Sequence, residues 1–301
     1  MDLDAIVGAR LETPPPAVID AVARSLRARL GGDAMLFYGS ALRDPDLDGV
    51  LDFYILDDAG GARRGWRPFA FLWPDVSYHE LDIGGVPVRA KVARMALATF
   101  ERAAAGRTVD TTIWARFAQP SRLVFARDAG VRRRVHAAAA DCVRTAARFA
   151  ALLGPASGEA RDYWRALFAA TYGTEFRIET RSRADRILAS DPDYYDGALP
   201  RAWADAGLIA DVDEAPLRPV LSPAARRRLR IGWGARRWAG KPLNIMRLVK
   251  AAWTFEGAAR YALWKIERHS GVHIPLTPWR ERHPVLAAPG VLLRLWRAER
   301  S

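Results

Sequence analysis

Ala34-Met35-Leu36-Phe37-Tyr38-Gly39-Ser40 and Val50-Leu51-Asp52-Phe53-Tyr54-Ile55-Leu56 are the two stretches on which the fold turns. Each is a short apolar run bounded by turn residues, the pattern of a buried β-strand. The first ends on a Gly-Ser pair, where the chain can turn sharply because glycine has no Cβ. A polar loop leads into the second, and Asp57-Asp58-Ala59-Gly60-Gly61 closes it as a turn. The pair carries one acidic side chain in an apolar setting, Asp52.

Working outward, Thr13-Pro14-Pro15-Pro16 opens a helix over 17–30, which Gly31-Gly32 stops. Downstream, two alternating runs, 76–83 and 86–92, flank Gly84-Gly85. Two glycines at that place predict a tight β-hairpin. Its register sets Ile83 opposite Val86, Glu80 opposite Arg89 and Tyr78 opposite Lys91. Side chains alternate along a strand, so Tyr78, Glu80, Asp82, Arg89 and Lys91 share one polar face.

Helices are predicted over 94–105, 130–153, 159–171 and 182–189, with further strands over 123–125 and 174–179. The acidic, proline-dotted 210–223 stretch reads as a linker. Residues 243–269 read as one long helix with Arg247, Lys250, Thr254, Gly257, Arg260, Lys265 and Arg268 on a polar stripe. The expected class is α+β, a mixed sheet with helices followed by a mostly helical C-terminal part. A chain of 301 residues has room for more than one core. The expected division is a catalytic domain at 1–128, a helical domain at 129–217 and a basic region at 218–301.

One cysteine, Cys142, rules out a disulfide framework and fits a reducing compartment. The beginning, Met1-Asp2-Leu3-Asp4, lacks the basic and apolar regions of a signal peptide. No run approaches the ~20 apolar residues of a spanning helix. Charge is informative by its place: residues 218–301 hold 18 Arg or Lys against 4 Asp or Glu, while the rest of the chain is near balance. Six of the 11 tryptophans share that region. Cations mixed with indoles suit an anionic membrane surface. They also suit nucleic acid, but no recognition helix, zinc site or single-strand motif accompanies them.

The chemistry centres on Gly39, Ser40 and Asp52. Nucleotidyl transfer needs a metal-bridged triphosphate and neutralisation of developing charge. A Gly-Ser turn brings backbone N–H groups and a hydroxyl close to phosphate oxygens, and a neighbouring carboxylate offers Mg²⁺ the oxygen ligand it prefers. Eleven residues separate Ser40 from Asp52. That arrangement resembles the nucleotidyltransferase superfamily signature. The usual second carboxylate, two residues on, is here Tyr54. Glu80 or Asp82 on the hairpin, or Asp46 or Asp48 in the loop, would supply the other metal ligand.

A wider resemblance runs over roughly residues 34–200. Phe37-Tyr38-Gly39-Ser40 with Leu51-Asp52-Phe53 is similar to the mitochondrial-type CTP:phosphatidate cytidylyltransferases, the translocator assembly and maintenance family. The similarity continues at Val88-Arg89-Ala90-Lys91-Val92, at Trp114-Ala115-Arg116-Phe117-Ala118-Gln119-Pro120 and at Thr171-Tyr172-Gly173-Thr174-Glu175-Phe176-Arg177. Ala41 departs from the family's glycine, and its His-rich segment is missing.

The resemblance implies a nucleotidyltransferase fold and Mg²⁺-dependent transfer from CTP to phosphatidic acid, giving CDP-diacylglycerol. Tyr38, Gly39, Ser40, Lys91, Arg116 and Arg177 would contact nucleotide or phosphate, with help from Gln119, and Asp52 with Glu80 or Asp82 would hold Mg²⁺. A cytoplasmic protein, peripheral on the inner membrane face, is the matching expectation. The alternatives are transfer to another phosphate acceptor, and a degenerate scaffold that binds nucleic acid through its basic tail.

Overall fold

The computed structural model describes residues 1–42, 49–58, 72–174, 181–213, 215–254 and 257–282, with Ala287 and Gly290. Alternation along the strands builds its centre. Strands β1 (Ala34–Tyr38), β2 (Val50–Asp57), β3 (Asp75–Ile83), β4 (Val86–Ala96) and β5 (Arg122–Ala126) form one mixed sheet in the order β3-β4-β2-β1-β5. β2 runs parallel to β4, and the other neighbours are antiparallel.

Odd-numbered residues of β1 and β2 (Met35, Phe37, Leu51, Phe53, Ile55) join Val88, Ala90 and Val92 of β4 on one face. Helix α2 (Ala17–Leu30) covers that face with Ile19, Val22, Ala23 and Leu26. The even-numbered set (Leu36, Tyr38, Tyr54, Leu56) with Ala93 and Met95 faces a larger helical layer. That layer contains α1 (Leu3–Leu11), α3 (Leu97–Ala104), α4 (Thr112–Phe117), α5 (Ala129–Leu153), α6 (Ala160–Thr174), α7 (Arg181–Ala189) and α8 (Pro192–Asp205). Residues buried on both faces explain why β1 and β2 read as nearly continuous apolar runs.

One hydrophobic cluster runs from Leu3 through α5 to Trp233, so the boundary expected at 128/129 falls inside a shared core. Trp114 stacks on Phe149 of α5, and Phe149 meets Trp233, which lies on α9 (Pro223–Thr254). The stretch expected as a linker is strapped down. Leu217 pairs with Gly158 and accepts from the Tyr163 hydroxyl at 2.8 Å, and Leu217 and Leu221 are buried.

Three other expectations need correction. β4 continues to Ala96, so the helix expected from residue 94 begins at Leu97. The long helix expected over 243–269 is two helices: α9 starts at Pro223, and α10 (Ala258–Ser270) follows a break at Gly257, whose φ is 80°. Its polar stripe also turns inward in α9. Arg247 pairs with the buried Asp110, and Lys250 bonds to Asp75 and the Leu72 carbonyl. The strand expected over 174–179 meets α6 at Thr174 and otherwise lies outside the described residues.

α11 (Pro278–Arg282) is the last of these helices. Among the described residues no helix is long and apolar enough to cross a membrane.

Candidate active site

The helical cover thins at one end of the sheet. Along β2, Leu56 and Tyr54 are buried and Asp52 is half-exposed; along β4, Met95 and Ala93 are buried and Lys91 and Arg89 are half-exposed. The register lines up Tyr38, Asp52, Lys91 and Tyr78 across four adjacent strands, with side chains on one face. Adjacent strands lie about 4.8 Å apart, so this row places three polar side chains within two strand spacings.

Gly39 follows Tyr38 with φ at 100°, a conformation that L side chains rarely adopt. A Cβ there would lie 2.9 Å from Asp52 Oδ2. The bare backbone and the carboxylate are thus in contact, and the chain then turns through a single 3₁₀ turn, Ser40–Leu42, that exposes Ser40. Lys91 Nζ stands 3.4 Å from Asp52 Oδ1, both side chains about a quarter to a third exposed. The site therefore combines a turn with bare backbone and an exposed hydroxyl, a carboxylate and a cation.

Arg116 enters from α4. Its guanidinium donates to the Tyr54 hydroxyl at 3.2 Å and lies 5.2 Å from the centre of the Tyr38 ring. Tyr38, expected to touch nucleotide, packs its ring against Tyr54 and Phe117 and is 7% exposed. It forms the floor under Arg116. Gln119 donates to the Ala115 carbonyl at 3.2 Å. Burial, first of all, holds the Tyr54 phenol above its ordinary pKa, with the Arg116 charge opposing.

The hairpin register matches the expected one, pair for pair. The two carboxylates drawn from it as metal ligands are nonetheless not brought to Asp52. Asp82 accepts from the Gly85 N–H at 2.7 Å and so closes the turn. It lies four residues beyond Tyr78 on a strand two places from β2, roughly 16 Å from Asp52 by strand geometry. Glu80 accepts from the Tyr78 hydroxyl at 3.2 Å and stands 3.8 Å from Arg260. Strand parity predicted the correct face but not the level along it. Asp46, Asp48 and Arg177 lie outside the described residues. Among the described residues no group of three or more His, Cys, Asp or Glu could hold a metal ion.

Mg²⁺ is commonly held by one or two carboxylates plus substrate phosphates, keeping several waters. A single half-exposed carboxylate beside a Gly-Ser turn fits that mode, and Asp52 is the residue that would hold the ion.

Sequence reasoning missed the far wall. α10 lies against β3: the ring centres of Tyr261 and Tyr78 are 5.5 Å apart, and Trp264 stacks on Tyr261. Arg89 sets its guanidinium 5.3 Å from the Trp264 ring rather than against Glu80. No local signal marks Tyr261, because only the folded chain carries it to the sheet.

An open depression of about 410 Å³ lies at the opposite end of β2, lined by Asp58, Arg127, Asp128, Arg133 and Arg134. Arg127 and Arg134 there are tied to Asp33, Asp58, Asp128 and Glu101, an ion-pair network that occupies its own charges.

No protein-family model matches the chain, and no curated protein matches it.

Proposed function

We propose that the chain is a nucleotidyltransferase that moves a cytidylyl group from CTP to a lipid phosphate, with phosphatidic acid as the acceptor. The observation that carries this reading is the contact of three elements at one sheet end: the bare Gly39 backbone, the Asp52 carboxylate and the Lys91 ammonium. The resemblance of the Tyr-Gly-Ser and Leu-Asp-Phe stretches to cytidylyltransferases supports the choice of nucleotide and acceptor.

In this reading the turn at Gly39 and Ser40 receives triphosphate oxygens. Lys91 and Arg116 offset charge that builds up as the leaving group departs. A lipid phosphate oxygen forms a bond to the α-phosphorus of CTP. The bond from that phosphorus to the bridging oxygen breaks, and pyrophosphate leaves. A phosphate monoester is already largely dianionic at neutral pH, so no strong base is required. Mg²⁺, held at Asp52, would supply further charge neutralisation.

A membrane-borne acceptor calls for a surface that meets the membrane, and α9 offers one. Pro223–Thr254 contains no acidic residue. Its outward side exposes Arg226, Arg227, Arg228, Arg230, Arg237 and Lys241. Ile231, Trp238 and Ile245 are also exposed, Trp238 by 82%. They recur every seventh residue, so they form one apolar stripe along the helix. An apolar stripe among cations is the arrangement of a helix lying in an anionic membrane interface.

The test is conversion of labelled CTP and phosphatidic acid, with Mg²⁺, to a lipid-soluble product. Transfer dependent on both substrates is expected. Absence of product from well-folded protein across nucleotides and lipid phosphates would remove the reading.

A further inference from the structure

The fold brings α9 and α10 back against β3 of the sheet. α10 begins at Gly257, which is left-handed at φ 80° and pressed against β3. A Cβ there would lie 2.8 Å from the Tyr78 carbonyl oxygen. That close approach fixes where the first turn of α10 sits, and Tyr261 follows one turn later. Its N–H bonds to the Gly257 carbonyl at 3.0 Å, and its ring meets that of Tyr78. Tyr78 is the register partner of Lys91, which in turn is the partner of Asp52. Tyr261 is half-buried, and burial first and then the Asp52 charge raise its pKa. A phenol is protonated at neutral pH whatever that shift, so Tyr261 carries a hydrogen-bond donor.

Resting on the nucleotidyltransferase reading, we infer that Tyr261 of α10 is a substrate-binding residue of the same site, its hydroxyl donating to a phosphoryl oxygen held between Lys91 and the Gly39 turn. The region that the sequence offers as a membrane contact, or as a nucleic-acid-binding tail, thereby supplies one wall of the active site. A phosphoryl group near Asp52 needs neutral and cationic donors to offset the charge of the carboxylate. β4 provides Lys91, α4 provides Arg116 and α10 provides the neutral donor.

Tyr261→Phe keeps the ring against Tyr78 and removes only the hydroxyl. In the CTP and phosphatidic acid assay, kcat/KM for CTP is expected to fall at least tenfold. The KM for the lipid and the thermal midpoint should stay at wild-type values, which a purely structural role for the hydroxyl would not produce. Tyr261→Leu, which also loses the ring contact, should lower the thermal midpoint as well. Wild-type turnover in Tyr261→Phe overturns this inference alone. A wild-type chain that transfers nothing removes the proposed function and this inference with it.

Discussion

At the residue scale the account rests on Gly39. Its positive φ and its contact with Asp52 are separate constraints, and two substitutions separate them. Gly31→Ala meets a positive φ of 69° but open space, whereas Gly39→Ala meets a φ of 100° and a carboxylate oxygen. Both should lower stability by about 1–3 kcal/mol, the cost of holding an L residue in positive-φ backbone that it rarely adopts. Only Gly39→Ala should also abolish transfer, because its methyl group displaces Asp52. Denaturant titration beside the transfer assay checks this, and an active Gly39→Ala would contradict it. Gly39, Asp52 and Lys91 were legible in the sequence because the turn and both strands advertise themselves locally. The second metal ligand was not, since alternation reports the face of a strand and says nothing of distance along it. Cys142 is fully buried, and burial pushes its thiol well above the ordinary value, which accords with an inert core residue.

At the element scale, the hairpin was the most legible piece. Gly84-Gly85 and the alternation on either side dictate the pairing of Glu80 with Arg89 and of Tyr78 with Lys91. The C-terminal helices were the least legible. Apolar and polar residues keep a helical spacing through Gly257, which hides the break that this glycine makes where it docks against Tyr78. The inward turn of Arg247 and Lys250 was hidden for the same reason: their partners Asp110 and Asp75 lie far back in the chain. α9 is held by Trp233, buried against Phe149, and by Arg236, which donates to the Gly106 and Thr108 carbonyls at 2.7 Å. Burial lowers the Arg236 pKa, although these carbonyls satisfy much of its donor set. Trp233→Ala should therefore cost about 3–5 kcal/mol, the range for deleting a large aromatic from a core. Urea unfolding would measure it. A cost below about 1 kcal/mol would mean that α9 is not seated in the shared core.

At the scale of the whole molecule, one protein faces two ways. The sheet end with Asp52 and Lys91 carries the site proposed for phosphate, and the outward side of α9 carries six cations around an apolar stripe. The basic character of this region was legible from composition. Which side of α9 is outward was not, because Trp233 and Trp238 differ only in the direction the folded helix gives them. Changing Ile231, Trp238 and Ile245 to Ser should abolish sedimentation with phosphatidic-acid vesicles and leave the thermal midpoint unchanged. Raised salt should weaken wild-type binding, since exposed charges are screened beyond about 8–10 Å at 0.1–0.15 M. Undiminished binding by the triple variant would place the membrane contact elsewhere.

Calorimetric titration of Mg²⁺-CTP into the wild-type chain and into Asp52→Asn tests the proposed phosphate site most directly. The account predicts saturable, Mg²⁺-dependent binding by the wild type and at least a tenfold weaker affinity in the variant, with the fold intact. Equal affinity in the two proteins, or no binding by the wild type, would contradict it.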